Sequence, residues 1–192
     1  MESCALNDLS LSISRAQQLL LSQQYPDGFW WYTLEANETI GSEFILLLYS
    51  LNLQERYKVL IEKLIQRMLT QQRTDGSWAL YYEGHGDLST TIECYWILKL
   101  HRQPAYETAL EKAKTFILSQ GGLLKARIFT KIHLAQFGLF PWRGCPELPS
   151  ILMLLPANSP FSIYQFSSWA RACIVPLLIL FHFKKTILLK DF

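Results

Sequence analysis

The chain has 192 residues, half of them hydrophobic and 14% aromatic, with 18% charged against a typical ~25% for soluble domains. That length can bury a good core and carries a prior of one to two domains. A formal net charge of +2, with Lys and Arg scattered rather than clustered, gives no footing for a nucleic-acid partner.

In chain order the elements read as helices. Leu9, Ile13, Ala16 and Leu20 recur with gaps of four, three and four, which places them on one helix face. Glu43 to Leu51 predicts a second, very apolar helix, and Tyr57 to Thr70 a third with Leu60, Leu64, Met68 and Ile61, Ile65, Leu69 as adjacent ridges. Thr90 with Glu93 three residues on matches a capping box opening a run through Leu100. Tyr106 to Ser119 follows and stops at Gly121-Gly122, where glycine can take the left-handed conformation that ends a helix. Leu124 to Phe137 is next, before a turn-rich stretch marked by Gly138, Pro141 and Pro146. Ile174 to Phe183 is almost wholly apolar and too short to span a hydrocarbon core of ~30 Å, so a buried helix is expected. No period-two run bounded by hairpin turns signals a strand.

Two heptapeptides punctuate this array, Gln24-Tyr-Pro-Asp-Gly-Phe-Trp30 and Gln72-Arg-Thr-Asp-Gly-Ser-Trp78, 48 residues apart. Such a period signals stacked supersecondary units. Leu21-Ser-Gln23, Leu69-Thr-Gln71 and Leu118-Ser-Gln120 mark three equivalent helix ends, the third without its Gly-x-Trp. Gly suits a turn with positive φ, Asp27 and Asp75 suit turn capping, and Trp offers a broad face with one N–H donor. Gln24, Gly28, Trp30, Gln72, Gly76 and Trp78 are therefore read as structural residues that join helical hairpins, not as catalytic ones.

The four cysteines, Cys4, Cys94, Cys145 and Cys173, lie far apart with no Cys-x-x-Cys or Cys/His ligand spacing. Neither a zinc site nor a redox pair is signalled, and nothing at the N-terminus reads as a signal peptide, so free buried thiols are expected. Asp87 and Glu93 read as capping and inter-helix hydrogen-bonding groups, and His85, between Gly84 and Gly86, as a loop residue. No nucleophilic triad or phosphate-cradling loop is evident.

The repeated Gln-x3-Gly-x-Trp resembles the QW motif of the triterpene cyclases, the squalene–hopene and oxidosqualene cyclase superfamily. Further stretches extend the resemblance in the expected order: Asp27-Gly-Phe-Trp-Trp31 with Leu34-Glu-Ala-Asn37, Asp87-Leu-Ser-Thr-Thr-Ile-Glu93, Phe140-Pro-Trp142, Met153-Leu-Leu-Pro156, and Ser168-Trp-Ala-Arg171 leading into Ile174-Val-Pro176. It covers about residues 10 to 180. The resemblance implies an all-α fold, a partial α/α barrel (toroid) of helical hairpins with two QW-type repeats. Residues 1–192 then form an incomplete N-terminal region, with a lead-in helix to about residue 25 and smaller-barrel-like repeats from about 26 to 192.

The family cyclises linear isoprenoids, squalene to hopanoids, by a proton-initiated carbocation cascade, and its members sit monotopically in membranes. The resemblance therefore implies an isoprenoid lipid partner and peripheral association on the cytoplasmic side, without a transmembrane helix, cofactor or metal. Trp169 is the candidate for lining the substrate cavity, where a ring face stabilises cations, and Arg171 is expected to be a structural partner of a carboxylate or helix end. The family's acid lies in a D-x-D-D motif, and Asp8, Asp27, Asp75, Asp87 and Asp191 offer no such spacing. No catalytic residue is assigned, and the chain is expected to be inactive alone. His133, Gln136 and Asn158-Ser159 add polarity where the family pattern is apolar or aromatic, and Lys184 to Phe192 departs from it. The alternatives are a non-catalytic helical module that binds an isoprenoid or a protein, or one half of a split cyclase whose C-terminal polypeptide carries D-x-D-D. A protein prenyltransferase β-subunit, another α/α barrel, would need Asp/Cys/His zinc ligands late in the chain, and no such constellation appears.

Overall fold

The computed structural model describes residues 2–32 and 34–188, with the side chains of 2–7 excepted. The Cys4 side chain, Asp191 and the last residues of the divergent tail, 189–192, lie outside the described residues. The chain falls into two compact units, Met1–Glu35 and Ala36–Phe192.

In the first unit, α1 (Glu2–Ser22) runs into the first heptapeptide. A helix end leaves its last carbonyls without intrahelical partners, and here the Trp30 indole N–H donates to Leu20 O at 2.7 Å. Gln24 Nε2 donates to Gly28 O at 2.8 Å, and Gly28 takes φ +86°.

The second unit repeats this arrangement bond for bond. At the end of α3 (Lys58–Thr70), Trp78 Nε1 donates to Met68 O at 2.7 Å and Gln72 Nε2 to Gly76 O at 3.0 Å. Gly76 also takes φ +86°, and a Cβ there would stand 2.5 Å from the backbone carbon of Lys112. That contact lets α5 (Glu107–Ser119) lie directly on the turn, and Gln72 Nε2 reaches across to Ala109 O at 2.9 Å. Asp75 accepts from both the backbone N–H and the hydroxyl of Ser77. Burial raises its pKa, but these bonds and Arg73 outweigh that and hold it below the usual carboxylate value.

The turn continues into strands the sequence did not signal. Trp78–Ala79 (β1) pairs antiparallel with Gly86–Asp87 (β2). Each strand is two residues long, too short for a period to register. The ribbon delivers Asp87 as the N-cap of α4 (Leu88–His101), where it accepts from Thr90 N at 2.7 Å. The expected capping box at Thr90 and Glu93 is therefore displaced. Thr90 gives its own hydroxyl to Asp87, and Glu93 lies inside the helix, 1% exposed.

α4 is the axis of the unit, buried on nearly every side, with α2 (Glu38–Ser50) and α5 packed against it. Ile45, Ile65, Met68, Trp78, Trp96 and Ile97 belong to one continuous core. α2 starts earlier than the apolar run suggested, because Asn37 accepts from Thr39 N and caps a polar first turn. α6 (Ile128–Gln136) starts later than expected. A 3-10 turn occupies Gly122–Lys125, and Arg127 N is held in extended backbone by Ser89 Oγ at 2.8 Å. α7 (Ser168–Phe183) buries only Leu178 and Phe181 and leaves Phe183 and Ile179 exposed, so the expected buried helix is mostly surface. Phe181 packs edge-on to Trp142 in a second, smaller cluster with α6. Cys94 and Cys145 are free and buried as expected, whereas Cys173 is exposed. Among the described residues the fold is all-α apart from the ribbon, and no helix is long and apolar enough to cross a membrane.

The two Trp side chains make the same bond in different surroundings, since Trp78 is 0% and Trp30 43% exposed. A buried carbonyl stripped of its donor bears the full desolvation cost, and an exposed one turns to water. Trp78→Phe should destabilise the protein by about 2–3 kcal/mol and Trp30→Phe by less than about 1 kcal/mol. Urea unfolding followed by circular dichroism checks this, and equal losses would contradict it.

Candidate functional site

A polar seam runs through the second unit where α2, α4 and α6 meet. Its centre is Glu93 on α4, fully enclosed, whose Oε1 accepts from Thr130 Oγ1 of α6 at 2.5 Å. Its second oxygen, Oε2, is buried without a hydrogen-bond partner. Glu43 on α2 and His133 on α6 lie beside it, with His133 Nδ1 3.5 Å from Glu43 Oε1. That is an ion-pair distance but not an aligned hydrogen bond, and Nδ1 too lacks a hydrogen-bond partner. The ligand atoms of Glu43, Glu93 and His133 all lie within 4.8 Å of one another, so these three could hold a metal ion.

Around this centre the polar groups are paired. Arg127 Nη2 meets Asp87 Oδ1 at 3.2 Å and Thr90 Oγ1 at 3.3 Å, and Thr39 and Thr90 share a hydroxyl contact of 3.0 Å. Ser42 Oγ faces Cys94 Sγ at 3.8 Å, and burial raises that thiol well above its ordinary pKa, so it is no thiolate nucleophile. A cleft of about 180 Å³ opens next to the seam, lined by Glu43, Leu46, Leu47, His133, Gln136 and Phe137 among others.

The electrostatics follow from burial. Loss of water pushes the Glu93 carboxyl up to about 7, helped by the Glu43 and Asp87 charges and opposed by Thr130 and Arg127. Burial lowers the pKa of His133, with the Glu43 charge acting the other way. Glu93 can thus hold or release a proton near neutrality. It is a weaker acid than a free carboxyl.

Trp169 stands in the first turn of α7, 80% exposed. It closes a stretch of exposed rings that includes Phe161, Tyr164 and Phe166. Arg171 donates to the carbonyls of Tyr164 and Phe166 at 3.5 and 3.3 Å, at the C-terminal end of the 3-10 turn Ile163–Gln165, so of the two expected partners it has the helix end rather than a carboxylate. Asp87 caps and Glu93 bridges helices, whereas His85 is an exposed loop residue. Gln24, Gly28, Trp30, Gln72, Gly76 and Trp78 lie at the two helix-end turns. Sequence reasoning did not bring Glu43, Glu93 and His133 together. They lie on three helices, and no local spacing joins them; the only signal was the unexpected polarity of His133.

Residues 13–191 match the family model of the squalene-hopene cyclase N-terminal domain. The chain is 47% identical over 174 residues to dammaradiene synthase of Dryopteris crassirhizoma, covering 90% of this chain and 25% of that protein. It is 42% identical over 168 residues to squalene–hopene cyclase of Alicyclobacillus acidocaldarius, covering 88% and 26%. For squalene–hopene cyclase of Zymomonas mobilis the values are 39% over 175 residues, covering 91% and 26%. The chain thus spans about a quarter of the length of these curated relatives.

The raised pKa of Glu93 makes a signed prediction. The unfolded chain releases this proton near 4.5 and the folded one near 7, so Glu93 costs nothing below 4.5. Its penalty grows between these two values and is constant above 7, reaching about 3 kcal/mol. Glu93→Gln keeps the Thr130 bond and removes the titration. Its stability relative to the parent should rise by about that amount from pH 4.5 to pH 7. Parallel pH profiles of urea unfolding for the two proteins would contradict the assignment.

Proposed function

The chain belongs to the squalene–hopene cyclase family through its N-terminal domain, and from that premise we propose that it forms part of the wall of an isoprenoid cyclisation cavity whose initiating acid lies on another segment or polypeptide. The observation that carries this reading is the exposed aromatic stretch from Phe161 to Trp169, ending in the 80% exposed Trp169. A carbocation needs a dry cavity lined by ring faces, each offering roughly 0.5–2 kcal/mol of cation–π stabilisation. Large rings left in water are the counterpart of a surface that another body covers.

The chain's own carboxylates do not suit the first step. Asp75 is held ionised by Ser77 and Arg73, and Asp87 is engaged by Arg127 and Thr90. Protonating an alkene requires a strong acid, and burial makes Glu93 a weak one. Glu93 therefore does not replace a D-x-D-D aspartate. The lipid partner is a squalene-like isoprenoid. Peripheral membrane association is part of the same reading, with exposed Leu9, Ile13 and Leu20 on α1 as apolar surface for it.

A cyclisation assay tests the proposal. The purified chain in detergent with squalene should give no cyclic product. Adding a polypeptide that carries the D-x-D-D region of a relative should give product, and Trp169→Ala should lower that turnover about 2–30-fold. Product from the chain alone would overturn the need for the external acid. No product from the mixture would leave a binding module, and retention of radiolabelled squalene by the chain would identify one.

A further inference from the structure

Glu93 keeps one buried oxygen unpartnered inside a closed helical core, its carboxylate lies beside two other ligand groups, and none of the packing described above explains that oxygen. We propose that Glu43, Glu93 and His133 form a binding site for a divalent transition-metal ion of the zinc class. The three groups come from α2, α4 and α6, so packed helices rather than loops fix them, and their ligand atoms already lie within 4.8 Å of one another.

Two independent features point to a ligand. Glu93 is 1% exposed with Oε2 unsatisfied, and the buried Nδ1 of His133 makes no hydrogen bond although Glu43 is 3.5 Å away. Buried polar atoms ordinarily find partners, and a cation held among these three side chains would supply one. Thr130, donating to Glu93 Oε1 at 2.5 Å, fixes the carboxylate as outer partners of metal ligands do.

The donor set decides the kind of ion. One imidazole with two carboxylates suits zinc and its neighbours, whereas calcium takes six to eight oxygens and magnesium keeps a near-octahedral oxygen shell. Ligand atoms around a tetrahedral zinc stand roughly 3.4 Å apart at ordinary bond lengths. The site must therefore contract, and Glu43, whose side chain is 35% exposed, has the freedom to do so. Two carboxylates balance the charge of the ion, and Arg127, the nearby cation, is already paired with Asp87 at 3.2 Å. The adjoining cleft of about 180 Å³ gives a route in and room for water in the fourth position.

The test is a Zn²⁺ titration of the full chain in detergent, stripped with chelator, near neutral pH. Calorimetry and metal analysis should find one zinc per chain, with Mg²⁺ unable to compete. His133→Ala and Glu93→Gln should each weaken binding by at least about 100-fold, beyond the 10–100-fold of an outer partner, and His85→Ala should leave it unchanged. The Co²⁺ spectrum should lack a thiolate charge-transfer band. Circular dichroism controls for folding, and His133→Ala, at a half-buried position, carries the test if Glu93→Gln does not fold. No binding, unchanged binding in His133→Ala, or thiolate coordination would each overturn the proposal.

Discussion

The last carbonyls of a helix must find donors when the chain turns back into a core, and in this protein an indole supplies one. Trp78 Nε1 meets Met68 O at 2.7 Å from a position with no solvent exposure. Because the indole lies within the core, the turn between α3 and β1 cannot swing away, and Gly76 is brought against the backbone of α5. The ribbon that follows places Asp87 to cap α4, and α4 then organises the helices around it. One bond at a helix end thus sets the entry of the central helix. The same bond at Trp30 and Leu20 shows that the device is a repeated unit rather than a local accident.

A core built this way is expected to be apolar, yet a seam of Thr39, Ser42, Thr90, Glu93 and Thr130 runs through it. The Thr39 and Thr90 hydroxyls satisfy each other and Ser42 donates to Cys94 Sγ, each at modest net gain. Glu93 is different. Its carboxyl is enclosed, one oxygen stays unpaired, and burial raises its proton affinity toward neutrality. Replacing such a group by an apolar residue commonly stabilises a fold, so its presence marks a position where stability was not the sole constraint.

The exposed rings follow the opposite logic. Trp169, Phe161 and Phe183 are each more than 70% exposed, while α7 buries only Leu178 and Phe181. Arg171 secures the start of α7 through main-chain carbonyls, so the aromatic stretch is held in place although few of its rings are packed. The relatives are about four times as long as the stretch they share with this chain, and a full-length protein has the additional surface to cover such rings.

The sequence by itself determined the helical class, the two helix-end turns and the family, because the period and the Gln, Gly and Trp positions are local chemistry. The Gly28 and Gly76 turns could be read from residue type and spacing alone, whereas the acceptors of the Trp30 and Trp78 indoles, carbonyls ten residues back in the chain, came only with the structure. It missed the ribbon and misplaced the start of α4, because two-residue strands carry no period and Asp87 outcompetes Thr90 as a cap only once the ribbon has set its extended backbone. Only the tertiary structure decided that Glu43, Glu93 and His133 converge. Their separation along the chain bears no relation to their separation in space, which is fixed by how α2 and α6 pack on α4, and the burial that shifts Glu93 exists only after that packing is complete.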